Sequence, residues 1–211
     1  MTIEVKICGL REAAGLKAAM EAGARYVGFV FHAPSSRHVA PAEAGPLAAK
    51  LPSFVKRVGL FVDAGDDEIR EVLRQMPLDI LQLHGNETPE RVEEVTKRTG
   101  LPVMKALHVA TMEDLKPLAG YEAVAERLLF DTRIGKEPTG GTGKSFDWNL
   151  LRGLVINRPW MLAGGLHADN LAEAVRVSGA RAVDVSSGVE NAAGAKDRDK
   201  IRRFIEVAKT L

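Results

Sequence analysis

Short runs of β-branched, aliphatic and aromatic residues alternate along the whole chain with stretches whose apolar positions recur at helical spacing. Eight such runs are legible: Val5 to Cys8, Tyr26 to Phe31, Lys56 to Val62, Ile80 to His84, Val103 to Leu107, Leu128 to Asp131, Trp160 to Ala163 and Ala182 to Ser186. Between them, Ile69, Val72, Leu73 and Met76 mark one helical face, and Val92, Val95 and Thr96 another. Helix boundaries are written in the same text. Thr88-Pro89-Glu90 offers an N-cap with proline at the first helical position, and Gly23, Gly100 and Gly179 follow helical stretches as C-terminal caps do. Strands that alternate with helices in this way predict parallel βα units. A faint repeat supports the count, since Ala22-Gly23-Ala24-Arg25 before the second run resembles Ser178-Gly179-Ala180-Arg181 before the eighth.

Two architectures accommodate such units. An open doubly wound sheet that binds a dinucleotide carries Gly-x-Gly-x-x-Gly in its first turn, whereas this turn reads Cys8-Gly9-Leu10-Arg11-Glu12-Ala13 and lacks the second and third glycines. The expectation is therefore a single-domain (β/α)8 TIM barrel spanning residues 1–211, with its active face at the carboxyl ends of the strands. With 211 residues and no Pro/Gly/Ser linker, there is no spare length for a second domain.

Composition narrows the function classes. Twenty-nine basic and 28 acidic residues are interspersed, for a net charge of +1, so there is no electrostatic stripe for nucleic acid. No apolar stretch reaches the roughly 20 residues that span a bilayer. One cysteine forms no internal disulfide. A cytoplasmic enzyme without nucleic-acid or membrane partners is expected. The apolar pair Phe54-Val55 fits either an interface or a cap on the core, which leaves monomer and homodimer both open.

The chemistry-bearing positions sit at strand ends. Period-two alternation puts Lys6 and Cys8 on the inner face of the first strand, with Val5 and Ile7 turned toward the helices. Cys8 is either a small buried hydrophobe or a general base whose thiol a helix start near Arg11 and nearby cations would make more acidic. Asp131 ends the sixth run in the same way. It is either a loop cap or a general acid, the latter needing a raised carboxyl pKa. Gln82 with His84, and Asp184 with Ser186, share inward faces, and His84 reads better as a supporting histidine than as a catalytic one. Arg37 is a loop charge or a planar fork for a carboxylate. Glycine turns follow the last three strands, at Gly140-Gly141-Thr142-Gly143-Lys144, Gly164-Gly165 and Ser187-Gly188, and present main-chain amides to an anion; the last two stand after strands seven and eight, where barrels often hold phosphate, though each alone is ordinary turn chemistry. Five dispersed histidines and the lack of His-Glu-x-x-His, Cys-x-x-Cys or an Asp-rich loop disfavour a metal.

Taken in order, Lys6-Ile7-Cys8-Gly9-Leu10-Arg11, Leu81-Gln82-Leu83-His84-Gly85, Phe130-Asp131-Thr132, Gly140-Gly141-Thr142-Gly143, Ala163-Gly164-Gly165-Leu166 and Asp184-Val185-Ser186-Ser187-Gly188-Val189-Glu190 closely resemble the phosphoribosylanthranilate isomerases of tryptophan biosynthesis, over the whole chain. The resemblance implies a (β/α)8 barrel and a cofactor- and metal-free Amadori rearrangement of a phosphosugar substrate. It implies Asp131 as general acid, Cys8 as general base and Arg37 on the anthranilate carboxylate. It places Gly143, Gly164, Gly165, Ser187 and Gly188 around the phosphate, with His84 and Asp184 as further substrate-binding residues. The alternatives are a metal-dependent epimerase or indole-forming synthase on a related barrel, or a barrel that only binds a phosphometabolite.

Overall fold

Each of the eight apolar runs is a strand, and hydrogen bonding joins them in sequence order into a closed parallel barrel, with the eighth strand pairing back onto the first. The computed structural model describes residues 2–132, 145–192 and 194–211. The strands are β1 (Glu4–Cys8), β2 (Tyr26–Val30), β3 (Lys56–Phe61), β4 (Ile80–Leu83), β5 (Val103–Val109), β6 (Arg127–Thr132), β7 (Trp160–Leu162) and β8 (Ala182–Val185). The α-helices are α1 (Ala13–Ala22), α2 (Pro41–Ala48), α3 (Asp66–Gln75), α4 (Pro89–Thr99), α5 (Leu118–Val124), α6 (Leu171–Ser178) and α7 (Arg198–Lys209).

The helices lie where their apolar faces find the barrel wall. α3 turns Ile69 and Val72 inward and carries Asp66, Asp67 and Glu68 in its first turn, where negative charge complements the helix dipole. α4 begins as its sequence demands: the Thr88 hydroxyl accepts a hydrogen bond from the Arg91 amide, Pro89 follows, and Gly100 closes the helix in the left-handed conformation. Gly23 and Gly179 end α1 and α6 in the same way.

Two expectations need correction. α1 starts at Ala13, with Glu12 as an N-cap that makes no side-chain cap bond, so Arg11 precedes the helix. Between β6 and β7 the described residues form only a 3₁₀ turn, Trp148–Leu151, rather than a full helix.

Period-two alternation sorts the core into layers. Tyr26, Val58, Met104, Ala106, Leu129 and Met161 fill the inside of the ring, whereas Val5, Ile7, Phe29 and Phe130 belong to the larger core between strands and helices. Cys8, Val30 and Leu60 form a third, small cluster of their own. Val55 is enclosed, while neighbouring Phe54 is 60% exposed.

Candidate active site

The strand ends converge on one cavity of about 330 Å³, lined by Cys8, Leu60, His84, Asp131, Asp184 and Ser186, together with the β2 loop from His32 to Arg37. Four of these, Cys8, His84, Asp131 and Asp184, are polar or ionisable and come from four different strands or strand ends to meet at one mouth. A larger recess, about 750 Å³, opens among Ile3, Glu4, Arg127, Trp160 and Leu211. It lies at the amino ends of β1, β6, β7 and β8, and in barrels of this kind chemistry belongs to the opposite, carboxyl end.

Cys8 is only 4% exposed, but the surface it does present borders the cavity. Burial pushes its thiol above the usual range, against the opposing pull of the Lys6 and Lys196 ammonium groups. This corrects the expectation of a more acidic thiol. Four residues, Gly9 to Glu12, separate β1 from α1, so the helix begins two residues later than anticipated.

Asp131 is also corrected. Burial alone would raise its carboxyl pKa, but the hydrogen bond and charge of His84, the charge of His108 and the Thr132 amide outweigh burial and hold it below the usual carboxylate range. The bonds are direct: His84 Nε2 lies 3.2 Å from Asp131 Oδ2, and the Thr132 amide donates to Oδ1 at 2.7 Å. On the other side of the ring, Gln82 Nε2 lies 2.8 Å from His84 Nδ1, which holds the imidazole between the Gln82 amide and Asp131. His108 supports this arrangement by donating from Nε2 to the His84 carbonyl at 3.0 Å. The carboxyl thus borders the cavity as an ionised acceptor, and His84 is its partner, as the reading of a supporting histidine anticipates.

Arg37 borders the cavity, but its fork is not free. Nε and Nη2 each donate to Glu190 at 2.7 Å, and Lys196 Nζ reaches the same carboxylate at 2.6 Å. Glu190, held ionised by these two cations despite its burial, had no role in the sequence reading. Neither did Lys196, whose Nζ also meets the Ser186 carbonyl at 2.9 Å. Below them Lys6, fully enclosed, donates to Asp184 Oδ1 at 3.0 Å. The only signal in the sequence for Lys6 was its shared face with Cys8; the pairing with Asp184 appears only when the ring closes.

Among the described residues, Gly164, Gly165, Ser187 and Gly188 lie outside the lining of this cavity, although neighbouring Ser186 is part of it. Gly164 adopts φ +85°, and a Cβ there would lie 3.0 Å from Asp131 Oδ1 and closer still to Thr132. A Cβ on Gly188 would lie 1.9 Å from the Leu166 carbonyl oxygen, so the loops after β7 and β8 touch main chain to main chain. Gly165 and Ser187 sit within these two loops. Gly143 and its neighbours Gly140 to Lys144 lie outside the described residues. Among the described residues, no group of three or more His, Cys, Asp or Glu side chains is arranged to hold a metal ion.

A family model described as N-(5′-phosphoribosyl)anthranilate isomerase matches residues 5–207. The chain belongs to the N-(5′-phosphoribosyl)anthranilate isomerase family. A relative from Paracoccus denitrificans carrying that name is 56% identical over 207 residues, covering 97% of this chain and 96% of its own. The crystal structure of phosphoribosyl anthranilate isomerase from Thermotoga maritima superposes with a TM-score of 0.90 at 38% identity, covering 99% of this chain and 100% of that one. A phosphoribosyl anthranilate isomerase in complex with reduced 1-(o-carboxyphenylamino)-1-deoxyribulose 5-phosphate aligns with a TM-score of 0.85 at 36% identity, over 99% of this chain and 100% of that one. The protein is thus an isomerase-family enzyme on a (β/α)8 barrel. Among the described residues no helix is long and apolar enough to cross a membrane.

Proposed function

We propose that this chain converts N-(5′-phosphoribosyl)anthranilate to 1-(o-carboxyphenylamino)-1-deoxyribulose 5-phosphate in tryptophan biosynthesis, as one cytoplasmic catalytic domain, with Cys8 as base and Asp131 as acid. The observation that carries the reading is the shared cavity: a thiol from the end of β1 and a carboxyl from β6 border the same space, in a family of that activity.

The reaction divides into two proton transfers. Asp131, once protonated, delivers its proton to the furanose ring oxygen, the C1′–O bond breaks, and the nitrogen lone pair forms a cationic Schiff base. Cys8 as thiolate then removes the proton from C2′, and the electrons of that C–H bond neutralise the cation to give an enolamine. Protonation at C1′, with loss of the C2′ hydroxyl proton as its O–H electrons form the C=O bond, yields the ketone. The iminium makes C2′–H acidic enough for a thiolate, and each positioned acid or base typically contributes about 10² to 10⁴ in rate.

To act as the acid, Asp131 must gain a proton against the pull of His84, His108 and the Thr132 amide. A substrate bearing a carboxylate and a phosphate supplies the cause, because nearby negative charge and loss of water both favour the neutral carboxyl. His84 then keeps the protonated group oriented. Arg37 contacts the substrate carboxylate with the part of its guanidinium that Glu190 leaves unused, while His84 and Asp184 contact the sugar. The loops at Gly164, Gly165, Ser187 and Gly188, with Gly143, surround the phosphate.

Turnover of purified Cys8→Ser and Asp131→Asn tests the pair. Each variant is expected to lose about 10² to 10⁴ in kcat with binding of a product analogue retained. Near wild-type turnover in either one removes that residue from the mechanism.

A further inference from the structure

Among the described residues, the charged groups that interact with the Cys8 sulfur are more cationic than anionic. Lys6 approaches from β1 and Asp184 from β8; Lys196 and Glu190 come from the segment after β8, and Arg37 from the loop after β2. Lys200 donates only to the Glu190 carbonyl and is itself exposed. Three cations therefore share two carboxylates. Glu190 is engaged by both Arg37 and Lys196, and Asp184 is the one carboxylate bonded to Lys6. A thiolate at Cys8 completes the set as the third anion.

The geometry gives Lys6 direct access to the sulfur. Cys8 pairs with Gly28 across the β1–β2 ladder, and a Cβ placed on Gly28 would lie 2.9 Å from Cys8 Sγ and 3.2 Å from Lys6 Nζ. The missing side chain at Gly28 is the space that the thiol and the ammonium share. Lys6 has no exposed surface, so water does not screen its charge from the sulfur.

We propose that Lys6 is a positioning residue of the isomerase reaction: its buried ammonium, shared between Asp184 and the Cys8 sulfur, stabilises the thiolate that takes the C2′ proton. Asp184 has the opposite influence on the sulfur. By claiming part of the ammonium's field, it keeps the thiolate from becoming too stable to act as a base. The inference rests on the reading of Cys8 as the base, and the burial that disfavours the ionised sulfur is the effect Lys6 works against.

Cys8 is the sole cysteine, so thiolate absorbance and the pH dependence of iodoacetamide alkylation report on this sulfur alone. Lys6→Met is expected to move the thiol's ionisation midpoint up by about one pH unit or more, a tenfold loss of thiolate at a fixed pH below the midpoint. Its kcat falls in parallel while KM stays near wild type, and Lys6→Arg, which keeps the charge, restores most of both. Asp184→Asn is expected to move the midpoint down. A role in packing alone would not shift the sulfur in opposite directions. Should Lys6→Met fail to fold because Asp184 is left unpaired, Lys6→Met/Asp184→Asn carries the test, with a midpoint above that of Asp184→Asn. An unchanged midpoint in a folded Lys6 variant, or equal midpoints in the last two, overturns the proposal. If Cys8→Ser is active, the base assignment fails whatever Lys6 does; if Cys8→Ser is inactive and the midpoint does not move, only the role of Lys6 fails.

Discussion

Lys6 and Lys105 are both enclosed and both bonded to a buried carboxylate, yet they lie on opposite sides of the barrel wall. Lys6 faces inward, bonds Asp184, and has the Cys8 sulfur as its third neighbour. Lys105, on β5 between inward-facing Met104 and Ala106, points out toward the helices. Its Nζ donates to Glu87 at 2.8 Å and to the carbonyls of Leu83 and Gly85 at 3.3 and 2.7 Å. Glu87 in turn accepts from the Asp63 and Gly85 amides, which cinches the turn that follows His84. The same pair of functional groups thus serves two ends. Burial of a lysine does not decide its surroundings; the third group beside it differs, the Cys8 sulfur in one case and a stretch of main chain in the other.

The surroundings also push the two lysines in opposite directions. Burial would lower Lys6, but the charges of Asp184 and Cys8 prevail and raise it above the ordinary 10.5. For Lys105 burial prevails over Glu87, and the ammonium falls below that value.

The contrast is most sharply tested by removing Lys105. Lys105→Met leaves Glu87 buried without its cation, and breaking such a pair costs about 3–5 kcal/mol. Urea denaturation is expected to show that loss while the ionisation midpoint of Cys8 stays put; a shifted midpoint would mean that the two lysines are not functionally separate. Alkaline pH gives the next test, with an effect of at most about 1.4 kcal/mol per pH unit for each group. Just below 10.5 the folded chain has released a Lys105 proton that the unfolded chain retains, so this group adds stability as pH rises. Above 10.5 the folded chain retains a Lys6 proton that the unfolded chain has lost, and that contribution disappears as pH passes the raised folded value. Urea midpoints from pH 8 to 11 should therefore show the gap between wild type and Lys105→Met widening, and the gap to Lys6→Met narrowing at the top of the range. Slopes of one sign for both would break the comparison. The smallest effect is at Thr88, beside Glu87 in sequence. Thr88→Ala removes the α4 cap and is expected to cost about 1 kcal/mol, with turnover unchanged; a larger loss would show that the cap and the Lys105–Glu87 pair act as one unit.

The strand order and the convergence of Cys8, His84, Asp131 and Asp184 were legible because both follow from period-two alternation in a closed barrel. What stayed hidden depended on distance along the chain or on depth. Arg37 finds Glu190 across 153 positions and Lys6 finds Asp184 across 178, and no local pattern announces either. The directions in which Cys8 and Asp131 shift depend on how burial compares with neighbouring charge, a balance that residue type alone does not contain. The start of α1 was misplaced for a simpler reason: Glu12 caps it without a side-chain bond, so the usual signature is missing.

Lys6 and Asp184 are register partners where β8 zips onto β1. The seam that shuts the ring is therefore also the place where the sulfur meets its counter-ions. A growing polypeptide that has made seven strands holds the thiol, the acid and the histidine, yet the electrostatic frame around the thiol is assembled only when the last strand docks. Closing the ring therefore brings the buried charges of Lys6 and Asp184 into register in the same event.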